Sequence, residues 1–351
     1  MKNLFPILAF VLLAITSTNA QKIDIDKETI NTTLINFPSR DVDSSFQTFS
    51  YTFKGSNILT AWGINSDEAQ DKYIKLEGYT PVPSDGDLQL EVNLSSMNIL
   101  GSDVISRVEK SKDKAGRETS TYYYRHVITY EMNFSWRMLD RNGKDMSRIP
   151  FLTMVSATQK HQLDEYRTYK EAADSYYNNR VAVNRDIATR EILGKLGGMQ
   201  TDMNRLFGYR TSKEKFKIWV LASSSHPEYQ AQQDHYNAVK VAFENIQVSG
   251  VTAENLEALA PALEYYKSIP GKYAADEKAH IKLRYAAYYN LAVIHLHLDQ
   301  FDEAVKNANL LILNDYDKGD GKDIMKEVGN VKEMLEKKKY SSRRFQRVSR
   351  A

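Results

Sequence analysis

Tyr122-Tyr123-Tyr124-Arg125-His126-Val127-Ile128-Thr129-Tyr130-Glu131-Met132-Asn133-Phe134-Ser135-Trp136-Arg137-Met138 repeats with a period of two. Tyr122, Tyr124, His126, Ile128, Tyr130, Met132, Phe134, Trp136 and Met138 fall on one side, and mostly polar residues fall on the other. Successive side chains of a strand point to opposite faces, so this stretch predicts a ribbon whose aromatic face has to be covered by something apolar. Asn142-Gly143 follows it, the residue pair that a tight hairpin turn favours because its backbone needs positive φ. His126 is expected as a hydrogen-bonded histidine of the core.

The same period extends upstream. Phe49, Tyr51 and Phe53 alternate with Ser50 and Thr52, and Leu88, Leu90, Val92 and Leu94 alternate with Gln89, Glu91 and Asn93. Pro81, Pro83, Asp85 and Gly86 punctuate these strands, as does the charged run Ser111 to Ser120. After Pro150 the pattern turns helical from Gln159 to Leu206, with a break expected at Gly194, Gly197 and Gly198. A short strand follows, Phe216, Ile218 and Val220 between lysines and Trp219, expected to join the sheet of the ribbon. His226-Pro227-Glu228 then opens another helix. Residues 46–248 therefore read as one α+β unit, an antiparallel β layer covered by helices, preceded by a polar leader at 21–45 that pairs at most as an edge strand.

From Thr252 to Lys339 every signal is helical, with Thr252 placed as an N-cap and Ser268-Ile269-Pro270 ending the first helix. Within this part Tyr288, Leu291, Ala292, Phe301 and Ala304, followed by Leu311, stand at spacings that resemble a tetratricopeptide repeat. Small residues at 292 and 304 would let two antiparallel helices approach closely while the large ones fill the groove beside them. The resemblance covers about one unit of ~34 residues, and it implies an all-α tetratricopeptide-like module at 252–339 that offers a groove to a protein partner. It does not imply an enzyme.

The chain opens with Lys2, an apolar run from Leu4 to Ile15, and small residues up to Ala20. This order reads as a cleavable signal peptide over 1–20, and its apolar run is shorter than the ~20 residues that a spanning helix needs. The leader and the Ala20-Gln21 junction resemble those of bacterial envelope proteins. An exported chain with no cysteine has no disulfide and no lipidated N-terminal cysteine, so a soluble periplasmic or envelope protein is expected. A formal net charge of +2 gives no global field for nucleic acid.

No constellation compels a reaction. Seven histidines include no His-Glu-x-x-His pattern, and Gly-x-Ser-x-Gly is absent. Gly194-Lys195-Leu196-Gly197-Gly198 lacks the flanks of a phosphate loop, and Asn314 to Gly321 makes a poor calcium loop, with Asp320 and Lys326 where glycine and glutamate belong. No catalytic residue, cofactor or metal is expected. The last stretch carries Lys337, Lys338, Lys339, Arg343, Arg344, Arg347 and Arg350 with no acid after Glu336. It reads as a disordered basic tail at 340–351, either simply solvated or adhering weakly to an anionic membrane surface at ~1 kcal/mol per charge. The expected function is a non-enzymatic envelope scaffold. The competing reading is a glycan-active hydrolase or carbohydrate-binding module that uses the aromatic ribbon as a stacking platform.

Overall fold

The computed structural model describes residues 23–147 and 158–347. The expected signal peptide and Arg350 lie outside the described residues. In chain order the elements are β1 (Ile25–Asn36), β2 (Thr48–Lys54), α1 (Ser56–Ala61), α2 (Ser66–Tyr73), β3 (Thr80–Pro81), β4 (Leu88–Lys112) and β5 (Glu118–Asp140). They continue with β6 (Gln159–Tyr166), α3 (Tyr169–Tyr177), α4 (Arg180–Phe207), β7 (Arg210–Leu221) and α5 (Tyr229–Asn245). The chain closes with α6 (Ala253–Lys272), α7 (Lys278–His297), α8 (Phe301–Leu313) and α9 (Lys318–Lys338). The fold is α+β, and among the described residues no helix is long and apolar enough to cross a membrane.

Two compact units divide the chain, one from residues up to 34 together with 212–345, the other from 35–211 with the residues after 345. This corrects the expected boundaries at 45 and 248. The strand at 216–220 does not join the ribbon's sheet; it belongs to β7, which pairs with β1 in a two-stranded sheet of its own. The reason is apolar area: Phe216, Ile218 and Val220 are buried in one core with α5, α6 and α7, where Val239, Phe243, Leu259, Leu291 and Ile294 cover them.

The 35–211 unit holds a five-stranded sheet of order β3-β2-β4-β5-β6, in which β2 runs parallel to both neighbours and the β4-β5 and β5-β6 pairs are antiparallel. Cross-strand partners Leu90 and Met138, Val92 and Trp136, and Leu94 and Phe134 share the buried face, which packs with Ile187, Ile192, Leu196 and Met203 of α4. A register shift between Leu94 and Ser96 moves the inward face of β4 from even to odd positions, so that Met97 opposes Met132 and Ile99 opposes Tyr130. A second shift between Ile99 and Gly101 moves it back. The Asn142-Gly143 turn forms as expected, with Gly143 at φ 77° and its N–H donating to Asp140 O at 2.8 Å.

Three local expectations fail. The glycines at 194, 197 and 198 do not break α4, because Ile187, Ile192, Leu196, Met199 and Met203 bury a continuous stripe that outweighs the ~1 kcal/mol each glycine costs. Gln159 to Tyr166 is strand rather than helix, since its backbone completes the edge of β5. Pro270 does not end α6, which runs to Lys272 with Pro261 and Pro270 inside it. His126 is buried as expected, but it stacks on Tyr176 at 4.3 Å between ring centres, and neither of its ring nitrogens meets a hydrogen-bond partner.

In the other unit each helix from α5 to α9 packs on the next. Thr252 caps α6 as expected and forms a reciprocal capping box with Asn255. Only three residues, Leu298 to Gln300, separate α7 from α8, which makes the two antiparallel neighbours. Gly321 brings α9 onto α8: a Cβ there would stand 2.6 Å from Ile312 Cγ1 and 2.9 Å from Ala308 O. Glycine to alanine inside a helix ordinarily stabilises by ~1 kcal/mol. Here the contact with a backbone oxygen reverses the sign, and Gly321→Ala is expected to lower the unfolding free energy by about 1–3 kcal/mol in chemical denaturation.

Candidate functional site

The residues that resemble a tetratricopeptide repeat come together. Leu291, Ala292, Ala304 and Leu311 are buried in the core that α7 and α8 share, and Tyr288 and Phe301 are half-buried against it. They are packing residues, so any ligand surface has to lie beside them.

The basic tail is not free. Arg343 and Arg344 are buried, and Arg343 donates through Nε to Asp299 Oδ1 at 2.7 Å and through Nη2 to Leu296 O at 2.7 Å. Arg344 donates to His297 O and to Thr32 Oγ1, each at 2.6 Å. Arg347 lies over the rings of Tyr79 and Tyr209, 4.4 and 3.9 Å from their centres. Lys337, Lys338 and Lys339 end α9, where Lys339 takes the left-handed cap at φ 61°. The expected disorder of the tail is therefore corrected for these arginines: Asp299 and the carbonyls of α7 hold Arg343 and Arg344, and Tyr79 and Tyr209 hold Arg347.

The aromatic ribbon is not a platform either. Tyr130, Met132, Phe134, Trp136 and Met138 are core, and Tyr122, at the outer end, is exposed. A buried acid, Glu228, is fully engaged: it accepts from Tyr265 and Tyr273 hydroxyls at 3.1 Å each and pairs with Lys272. Burial alone would raise its pKa, but the Lys272 ammonium and the two hydroxyls hold it below the usual carboxylate range. This cluster ties the start of α5 to the end of α6, with a partner on each carboxylate oxygen, which is a packing role.

The open feature of this unit is an edge of β7. Backbone groups of successive strand residues point to opposite edges, and Ala222 N–H donates to Asp24 O on the β1 side at 3.0 Å. Odd positions of β7 therefore face away from β1. At Trp219 that edge is filled by a side chain: Asn290 of α7 accepts from Trp219 N–H at 2.7 Å and donates to Trp219 O at 2.8 Å. At Leu221 the amides of Gln232 and Gln233 do the same for its N–H and C=O. At Lys215 and Lys217 no strand among the described residues pairs with the edge.

Beside these two residues lies a groove of about 400 Å³, lined by Glu214 to Lys217 of β7, by Tyr289, Val293, Leu296 and His297 of α7, and by Asp320, Asp323, Ile324 and Glu327 of α9. Lys27 stands beside Tyr289 and Asp320 of this lining, its ammonium 4.5 Å above the Trp219 ring centre, 4.8 Å above that of Tyr289 and 3.6 Å from Asp320. Tyr285 also donates to Asp320, at 2.6 Å. Asp323 and Glu327, spaced four residues apart and hence on one face of α9, are exposed along the groove wall.

His297 forms part of the groove's floor. Its ring stacks on Phe216 at 4.2 Å between centres, and its Nδ1 is buried with no hydrogen-bond partner. Burial, then the adjacent Arg343 and Arg344, push its pKa down to about 3. Because the unfolded chain protonates this ring near ~6.5, the stability contributed by keeping it neutral is complete above that pH and is lost as the pH falls toward 3. His297→Phe, which preserves the stacking, is expected to flatten the acid side of the pH–stability profile by about 1 kcal/mol per pH unit between pH 6 and 4, measured by urea unfolding.

The sequence assigns no groove role to Asn290, Gln232, Asp323 or Glu327, and it reads His297 only as no metal ligand, since His295 and His297 point to different faces of one helix. Their roles depend on contacts between distant positions, 71 apart for Trp219 and Asn290. The alternation Lys213, Lys215, Lys217 is the signal that could have marked an edge strand.

No protein-family model matches this chain, and no curated protein does. Two solved structures show weak likeness. The solution structure of uncharacterized lipoprotein B from Nitrosomonas europaea is 10% identical with a TM-score of 0.19, over 50% of this chain and 98% of that one. The crystal structure of a PDZ domain protein from Parabacteroides distasonis is 10% identical with a TM-score of 0.20, over 76% of this chain and 64% of that one.

Proposed function

We propose that this chain is an exported, non-enzymatic adaptor of the cell envelope that holds a partner protein through its helical unit. The observation that carries the reading is the groove between β7, α7 and α9, where a strand edge that the fold fills with side-chain amides at Trp219 and Leu221 has no strand among the described residues against it at Lys215 and Lys217. The tetratricopeptide-like packing of Tyr288, Leu291, Ala292, Phe301, Ala304 and Leu311 supports it, since such helices act as rigid supports for a binding surface. The leader over residues 1–20 supports the address. The glycan reading loses its motive with the burial of the ribbon from Tyr130 to Met138.

The test is affinity purification of the tagged full chain from intact cells, followed by cross-linking and mass spectrometry. A partner retained at fixed stoichiometry and cross-linked to lysines of α9, such as Lys322 and Lys326, is the expected result. Cross-links confined to residues 35–211, or no stoichiometric partner, would contradict the adaptor reading.

A further inference from the structure

We infer that the partner contributes an extended segment that adds as a third strand to β7 at Lys215 and Lys217, with a basic side chain turned toward Asp323 and Glu327 and acidic side chains on its outward face. This rests on the adaptor reading and specifies its partner.

Three observations converge on a strand. The odd-numbered N–H and C=O groups of β7 face away from β1, with Lys215 and Lys217 beside the groove, and at Trp219 and Leu221 the fold supplies a donor and an acceptor for each from Asn290, Gln232 and Gln233. Those amides imitate what a neighbouring strand would offer, and they stop where the groove begins. The groove floor is apolar under that edge, with Phe216, Val293, Leu296 and Ile324, so alternate side chains of an added strand would find a pocket. His297, whose buried Nδ1 has no hydrogen-bond partner, belongs to the same lining.

Charge selects the occupant. Within a sheet, residues opposite one another on neighbouring strands interact directly, and like charges there repel. A second copy of this edge would set Lys213, Lys215 and Lys217 against the same lysines, which is how natural edge strands avoid pairing with themselves. A foreign strand with acids at the positions facing Lys215 and Lys217 meets attraction instead. Its inward residues lie along the α9 wall, where Asp323 and Glu327 favour lysine or arginine.

The experiment uses the full chain and two fluorescent peptides, acetyl-Glu-Val-Glu-Arg-Glu-Val-Glu-amide and the charge-swapped acetyl-Lys-Val-Lys-Glu-Lys-Val-Lys-amide, with anisotropy and residue-resolved amide exchange as readouts. The first peptide is expected to bind with a Kd below ~1 mM and at least about tenfold more tightly than the second, and to slow exchange at Lys215 and Lys217. The surface double variant D323K/E327K is expected to reverse the preference. Lys217→Pro removes one edge N–H and is expected to abolish binding; should it misfold, the double variant decides. Equal affinity for both peptides, no binding of the first at ~1 mM, or binding without slower exchange at Lys215 and Lys217 would overturn the inference. So would a chain already dimeric with those two amides protected, which would assign the edge to a second copy. A partner cross-linked to α9 while exchange at Lys215 and Lys217 stays unchanged sinks this inference and leaves the adaptor reading standing.

Discussion

Replacing Asp299 with alanine is expected to cost the chain about 3–5 kcal/mol of unfolding free energy, the range for removing one partner of a buried ion pair. Asp299 accepts from Arg343 Nε and from the Arg343 backbone N–H at 2.7 Å each, and from Ser342 Oγ at 2.8 Å, while Arg344 pairs with it at 4.0 Å. Its side chain is 4% exposed, and those of Arg343 and Arg344 are 9% and 0%. Without the carboxylate two guanidinium groups stay buried with only carbonyl and hydroxyl partners. Asp299 also sits at φ 59°, a left-handed position that costs alanine roughly 1 kcal/mol more than aspartate or asparagine. Asp299→Asn keeps the backbone and part of the hydrogen bonding, so it is expected to fall between wild type and Asp299→Ala. Urea unfolding of the three proteins checks the order. A loss under 1 kcal/mol for Asp299→Ala would mean that the tail does not depend on this carboxylate.

The second large effect lies where α7 meets α8. Ala292 and Ala304 are both completely buried, and the three-residue connection leaves the helices no freedom to slide apart. Ala292→Leu and Ala304→Leu each overpack this contact, at ~1–3 kcal/mol apiece. Because both belong to one interface, their effects couple rather than simply add. The double variant is expected to melt the helical unit before the ribbon unit, giving two thermal transitions by circular dichroism where the wild type has its helical unit intact. An unchanged melting curve would remove the close helix approach from the account.

Much of the fold was legible because its signals are local. The ribbon from Tyr122 to Met138 announces itself by alternation and by the Asn142-Gly143 turn, and the helices after Thr252 by their caps and apolar spacing. What the sequence hid was set by distant partners. Gln159 to Tyr166 is polar enough to read as a solvated helix, and only the open edge of β5 makes it a strand. The glycines of α4 look like a stop until the buried stripe on either side of them is counted. Residues 25–36 read as a leader because their partner, β7, lies some 180 positions away, and the same distance misassigned Phe216, Ile218 and Val220. The tail misled for a related reason: a run of arginines looks solvated until Asp299 and the C-terminal carbonyls of α7 are brought beside it.

The candidate site was less legible than the fold. A groove beside a strand edge that no described strand pairs depends on what the fold leaves out there, and no residue type encodes that. Only its lysines carry a trace of it.

Amide exchange on the free, full-length chain, resolved at single residues along β7, tests the central claim most directly. The account predicts slow exchange at Trp219 and Leu221, whose N–H groups are held by Asn290 and Gln232, and fast exchange at Lys215 and Lys217. Equal, strong protection at all four amides would mean that the edge is already occupied, and the binding groove would have no place in this protein.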